Sequence, residues 1–336
     1  MKKFCWALLL LSVFSSLTVA LSFALFCVTP QLLEKTGEIA IEIPQGSSLN
    51  KISVLLEETG AIRGRLRFKV LAKLMKMERN LKFGEYRFML PLTPLSLLRK
   101  IASGDVVAYL ITFPEGVTIF DVARNIESAG LSPGTAVLQK AADAQFAASL
   151  GIEGESLEGY LFPETYKFNR GSSPEVILRR MVDRFNTVFN QDMEKQAAAV
   201  GLSRKELITF ASLVEKETGC AEEKPVIAAV FLNRLGKGMR LDCDPTVIYS
   251  LKLENSAFNE RLNRNHLKKE SPYNTYLNVG LPPGPICSPG LDSIQAVLHP
   301  AKVSYLYFVS KNDGTHQFSE TLPEHNRAVA AYQRQH

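Results

Sequence analysis

Several features are missing from this 336-residue sequence, and each absence removes a class of function. Its five cysteines form no C-x-x-C pair, so a zinc ribbon or a dithiol redox centre lacks ligands at the usual spacing. The five histidines (His266, His299, His316, His325 and His336) show no H-x-x-x-H spacing, and each reads as structural or solvated. There is no low-complexity tract. Charged residues at 22% and hydrophobic ones at 46% are ordinary for a globular protein. Net charge is only +5, and Lys2 and Lys3 supply two of those charges. The remaining 37 basic against 34 acidic residues are too balanced to argue for nucleic acid. Cys5 and Cys27 lie in an apolar run. Cys220, Cys243 and Cys287 allow one disulfide or none.

Charge is also absent from Phe4 to Val28. As a helix this run spans about 37 Å, enough to cross a hydrocarbon core with some tilt. Lys2 and Lys3 precede it, so the positive-inside rule keeps the amino terminus cytoplasmic and places everything after Thr29-Pro30 outside. The expectation is a single-pass inner-membrane protein with a tail at 1–3, a transmembrane helix at 4–28 and a periplasmic catalytic part. A signal peptide cut near Ala20 is the rival, but the run exceeds a typical signal core. Phe26 before Cys27 disfavours lipidation.

The fold class expected for the rest is α+β. Ile39, Ile41 and Ile43 alternate as a strand. A helix with Leu49, Ile52, Leu55 and Leu56 on one face follows and ends at Gly60. A second helix, Arg63 to Met77, is rich in Lys and Arg on its outer face, and Lys82 to Met89 reads as a strand. This βααβ order over 37–105 fits a small LysM-like peptidoglycan-binding module in outline. A catalytic domain is expected over 106–336. IPQGSSLNKISVLLEETGAI, from Ile43, is echoed by FPEGVTIFDVARNIESAGLS, from Phe113, as two related strand–turn–helix units. Pro133 to Leu150 reads as helical.

Leu202 to Gly219, LSRKELITFASLVEKETG, is the stretch around which the rest of the chain is organised. Ser203 and Glu206 form a capping box, and Gly219 reads as a left-handed stop. Leu207, Phe210, Ala211 and Val214 recur at helical spacing, so one stripe faces a core. Glu215 and Glu217 follow on opposite shoulders of that stripe. A carboxyl half-sunk beside apolar side chains keeps its proton to higher pH, which suits a general acid. Spacing alone does not choose between the two, and both also fit the plainer role of solvated charges. The segment Glu155 to Phe168, ESLEGYLFPETYKF, crowds four aromatic rings with Glu158 and Glu164, as a packed turn or a sugar-site wall. Asp244 reads as a helix cap. Ser271 to Gly290, SPYNTYLNVGLPPGPICSPG, holds five prolines and reads as a long ordered loop.

Together these segments resemble the YceG-like family of endolytic murein transglycosylases. The resemblance rests on EGYLFPETY from Glu158, ASLVEKET from Ala211, the FLNRL…GMRLDCDPTVIY run from Phe231, and SPYNTYLNVGLPPGPICSPG from Ser271. HPAKVSYLYFV from His299 and HNRAV from His325 complete it. It implies that the first glutamate of V-E-K-E, Glu215, is the catalytic acid/base and that Glu217 supports it. By motif position it also puts Glu164, Tyr166, Asp244, Thr246, Tyr273, Asn274, Thr275 and Tyr276 near the glycan. The implied activity is lytic cleavage between MurNAc and GlcNAc of nascent strands. The substrate's own C6 hydroxyl replaces water, so one carboxyl suffices where a hydrolase needs two. No cofactor or metal is implied. The implied partners are peptidoglycan strands, the cytoplasmic membrane and peptidoglycan synthases. Two other classes compete. One is a non-enzymatic peptidoglycan-binding scaffold, which releases no anhydro-sugar ends. The other is a PLP-dependent lyase, against which the apolar segment and the absence of a suitable lysine context argue.

Overall fold

The computed structural model describes residues 2–31 and 37–333; Met1 of the expected tail, residues 32–36 and residues 334–336 lie outside the described residues. The chain divides into two compact units. One is Met1–Leu110 with Lys167–Ser172, and the other is Ile111–Tyr166 with Ser173–His336. The class is mixed α+β, as expected.

The first unit begins with α1 (Lys2–Val28), the one described helix long and apolar enough to cross a membrane; its qualifying span is Leu9–Val28. The order β1 (Gly37–Ile43), α2 (Leu49–Glu58), α3 (Arg65–Leu74), β2 (Gly84–Leu90) then matches the strand–helix–helix–strand pattern read from the sequence. α4 (Pro94–Ser103) closes it. β1 and β2 pair antiparallel with Ile41 opposite Tyr86 and Ile39 opposite Phe88. The period of two sends Ile41, Ile43, Tyr86 and Phe88 inward, where Ile52, Leu56, Phe68, Leu71 and Leu97 meet them. Phe26 and Cys27, at the end of α1, are buried in this same core.

The division between the units runs through the paired strands β3 (Ala108–Thr112) and β4 (Thr165–Asn169). The second unit is otherwise mostly helical: α5 (Ile119–Ser128), α6 (Gly134–Ala141), α7 (Ala144–Ser149), α8 (Pro174–Val188), α9 (Gln191–Ala199), α10 (Arg204–Glu217), α11 (Lys224–Gly236), α12 (Asp244–Glu254), α13 (Arg264–Leu267) and α14 (Leu291–Leu298). The hairpin β5 (Tyr307–Ser310) and β6 (His316–Ser319) and then α15 (Leu322–Tyr332) complete it. The single helix expected over Pro133 to Leu150 is two. Asp143 Oδ1 accepts the amides of Gln145 and Phe146 at 3.0 Å, which starts α7 afresh.

Gly159 shows how the E-G-Y element is fixed. Its φ is +86°, and a Cβ there would lie 2.4 Å from Pro285 Cβ and 2.5 Å from Pro285 Cγ. Gly159→Ala combines left-handed strain with overpacking, each costing about 1–3 kcal/mol. The expected outcome is a melting temperature lowered by several degrees. An unchanged melt would show that the Pro285 contact is loose.

Candidate active site

The site is built at the end of α10. Ser203 caps this helix with Glu206 as predicted. The single apolar stripe is not what forms. All eight residues from Leu207 to Val214 are buried, Thr209 and Ser212 included. Packing against α9, α11, α12 and α14 encloses the helix on every side. Ser212 is satisfied inside. Ser212 Oγ donates to Thr209 O at 2.6 Å and accepts the Ile286 amide at 3.0 Å. The helix ends through Thr218, which is extended (φ −144°, ψ 141°), so Gly219 does not supply a left-handed stop.

Glu215 and Glu217 leave this helix into different surroundings. The Glu215 side chain is 8% exposed, and one oxygen, Oε2, accepts three hydrogen bonds. The donors are Lys224 Nζ at 3.2 Å, the Gly290 amide at 3.0 Å and Ser293 Oγ at 2.5 Å. The amide comes from the residue that caps α14 and the hydroxyl from its first turn, where the helix dipole favours a negative group. Lys224 opens α11 and is 5% exposed; it also pairs with Glu115 at 3.6 Å. Burial, and then the charge of Glu215, raise the Glu115 carboxyl above its ordinary range. Gly290 lies so close to Glu115 that a Cβ would overlap its carboxylate at 1.9 Å. Glu215 therefore brackets α10, α11 and α14.

Glu217 instead opens into a cleft of about 530 Å³, lined among others by Arg234, Asp244, Tyr276, His316 and His325. Burial pushes its carboxyl up to about 7, and the charge of Asp244 acts in the same direction. A hydrogen bond from the Cys243 thiol and the nearby His316 and Arg234 pull the other way and do not cancel it. Tyr276 donates to Asp244 Oδ1 at 2.7 Å. Asp244 is the first residue of α12 rather than its cap, a place that also suits a carboxylate. Cys243 is the cap residue. Its amide donates to Thr275 Oγ1 at 3.0 Å, and its carbonyl accepts from Thr246 Oγ1 at 2.7 Å.

The expected site residues thus fall into groups. Glu217, Asp244 and Tyr276 share the cleft. Thr246 and Thr275 are buried behind it, hydroxyl to hydroxyl at 2.9 Å, and fix the start of α12. Asn274 is fully buried. Its amide donates to Leu267 O and Lys269 O, and its Oδ1 accepts the Tyr276 amide at 2.9 Å, so it shapes the loop from inside. The Tyr273 ring packs on Tyr249. Glu164 pairs with Arg184, and Tyr166 is buried with its hydroxyl donating to Phe162 O at 2.7 Å. All four rings of the Glu155 to Phe168 segment are buried, so that stretch is a packed turn. Cys220, Cys243 and Cys287 are free thiols.

Sequence reasoning missed Lys224, Ser293, Arg234 and His316. Arg234 lies in the F-L-N-R-L run and its side chain is 12% exposed. It donates to the Leu306 and Leu241 carbonyls and pairs with Asp242 at 3.2 Å. An arginine within an otherwise apolar run was the available signal. His316 pairs with Glu223 at 2.7 Å, a contact between residues 93 apart that no local pattern announces.

The architecture and the cleft define an α+β protein with a raised carboxyl, Glu217, beside Asp244 and Tyr276 in one cleft. The YceG-like family model matches residues 41–331. The endolytic murein transglycosylase of Bacillus subtilis (strain 168) is 34% identical over 313 residues, 88% of this chain and 84% of that protein. The endolytic murein transglycosylase of Streptococcus pneumoniae R6 is 30% identical over 326 residues, 88% of this chain and 58% of that protein. A putative YceG-like protein from Listeria monocytogenes, known from its crystal structure, aligns with a TM-score of 0.60 at 34% identity, over 87% of this chain and 99% of that one. The chain belongs to the YceG-like family.

Glu158 gives a test of the buried acids. It is 3% exposed, Oε2 accepts the Ile119 amide at 3.2 Å, and burial pushes its carboxyl from 4.5 to about 8. The folded state therefore holds a proton that the unfolded chain releases. Stability is full below about 4.5, falls as pH rises, and levels off above about 8. Glu217 adds a slope of the same sign that ends near 7. Melting temperatures across this range should fall with pH, and Glu158→Gln should flatten the part above pH 7. An unchanged slope in that variant would contradict the assignment.

Proposed function

We propose that this chain is a peptidoglycan lytic transglycosylase acting endolytically, and that Glu217 is its acid/base. The observation that carries the reading is the Glu217 carboxyl, raised to about 7 in a cleft it shares with Asp244 and Tyr276, in a chain whose curated relatives bear the name endolytic murein transglycosylase. Glu215, to which the family resemblance assigned the role, accepts three hydrogen bonds and a buried ion pair in a bracket between helices. In the proposed reaction protonated Glu217 donates to the glycosidic oxygen between MurNAc and GlcNAc. The resulting carboxylate then takes the C6 hydroxyl proton as the 1,6-anhydro ring closes. Asp244, oriented by Tyr276, places negative charge where an oxocarbenium-like ring develops. The Cys243 thiol supports the carboxylate form between the two proton transfers.

The remaining elements fit around this. α1 crosses the cytoplasmic membrane with Lys2 and Lys3 inside and the second unit outside. The βααβ module acts as a LysM-like glycan holder without chemistry of its own. Such an enzyme works beside peptidoglycan synthases, because nascent strands are its substrate.

The test is digestion of purified sacculi with mass identification of the new ends, beside thermal melts. Glu217→Gln should lower anhydro-ended product by about 10²–10⁴-fold. Its melting temperature should hold or rise, since an amide removes a buried titratable group. Wild-type activity should fall as pH rises through about 7. Glu215→Gln should chiefly lower the melting temperature, because it leaves buried Lys224 with one carboxylate fewer, a loss of up to about 3–5 kcal/mol. A well-folded but inactive Glu215→Gln beside an active Glu217→Gln would move the role to Glu215. New reducing ends would mean a hydrolase, and bound but uncut glycan a scaffold.

A further inference from the structure

The basic helix of the first unit has a feature that glycan cleavage does not use. From Gly60 to Asn80 the sequence holds seven basic residues and one acidic, a net +6 against +5 for the whole chain. α3 buries Phe68, Leu71 and Ala72 on one face. On the opposite face Leu66, Val70 and Leu74 are 67%, 48% and 67% exposed. Their spacing of four makes a continuous apolar stripe. Arg67 flanks this stripe on one shoulder, and Lys69 and Lys73 on the other, while Arg63 lies just before the helix. Among the described residues, Arg63, Arg67 and Lys73 have no acidic side chain within ion-pair distance.

This face has a fixed position relative to α1. The last turn of α1 is buried in the core that α3 covers, and the Arg67 guanidinium lies over the Phe26 ring at 5.8 Å. A groove of about 530 Å³ runs between them. Thr18, Leu21, Leu25 and Phe26 form one wall, and Arg63 and Arg67 the other. Apolar side chains facing two guanidinium groups suit an acyl chain beneath a phosphate.

We propose that α3 is an interfacial helix. Its apolar stripe lies in the outer surface of the membrane that α1 spans, and Arg63 and Arg67 hold the phosphate of an anionic phospholipid in the groove beside α1. The proposal rests on reading α1 as a membrane anchor. An apolar stripe bordered by Lys and Arg is the form of a helix that lies on an anionic bilayer. The long basic side chains reach up to headgroups while their stems stay in the apolar layer. The first unit would then be pinned at two places, and its orientation to the membrane fixed.

The natural tryptophan at position 6, 65% exposed on α1, reports the anchor independently. The full-length chain is reconstituted in vesicles containing brominated phospholipid, either zwitterionic or rich in phosphatidylglycerol. Trp6 of the wild-type chain should be quenched in both. In a Trp6→Phe background, Val70→Trp should shift to the blue and be quenched several-fold more strongly in the anionic vesicles. Leu74→Trp, at a more exposed position, should do the same. Adding Arg63→Glu and Arg67→Glu should abolish the preference for anionic lipid. If Trp6 is quenched while neither α3 reporter is, docking is overturned and the anchor stands. Equal quenching in both vesicle types also overturns the proposal. An unquenched Trp6 removes the anchor, and the proposal with it.

Discussion

The second unit depends on one helix being enclosed. Eight consecutive buried residues, Leu207 to Val214, leave α10 no solvent face, so it must leave the core at its end. Residues two apart on a helix point about 200° from one another, so Glu215 and Glu217 emerge toward different neighbours. Enclosure turns that angular difference into a chemical one. Glu215 meets the first turn of α14 and the buried ammonium of Lys224. Glu217 meets a cleft with Asp244, where burial outweighs the pull of Arg234 and His316.

The two arrangements suit different tasks. A buried ion pair with three donors on one oxygen is costly to disturb, because removing either partner strands a charge. Such a group is suited to holding helices together and poorly suited to moving during a reaction. A carboxyl raised to about 7 changes state at little cost near neutral pH, which both proton transfers of the proposed reaction require. In the proposed reaction, stability and chemistry are thereby divided between neighbours in one V-E-K-E element.

Much of the fold was legible in the sequence because its signals are local. Ser203 with Glu206 marks the start of α10, and alternating isoleucines mark β1. The enclosed helix was misread because a stripe count scores Thr209 and Ser212 as polar. Both are small, and the Ser212 hydroxyl bonds within the core, so packing buries them. The stop at Gly219 failed because the chain had already turned extended at Thr218. Asp244 and Tyr276 were read into the site from their motifs, and they do line the cleft with Glu217. The partners of the two glutamates were not legible. Lys224 is nine residues from Glu215 in sequence, and Ser293 is 78 away. Only the folded chain brings them together.

The loop from Ser271 to Gly290 shows why motif residues need not touch a ligand. A stretch of twenty residues without regular structure would normally be mobile. Here its polar groups are spent inward. Asn274 bonds Leu267 and Lys269, Thr275 bonds Cys243 and Thr246, and Ile286 and Cys287 bond Ser212 of α10. The loop is therefore tied at one end to the start of α12 and at the other to the middle of the enclosed helix. Asp244 and Tyr276 inherit their positions from those ties, since each is adjacent to a residue that makes them. Few side chains of this loop reach the cleft and many hold it, and that ratio is what the proposed placing of an acid and a carboxylate against a flexible polysaccharide requires.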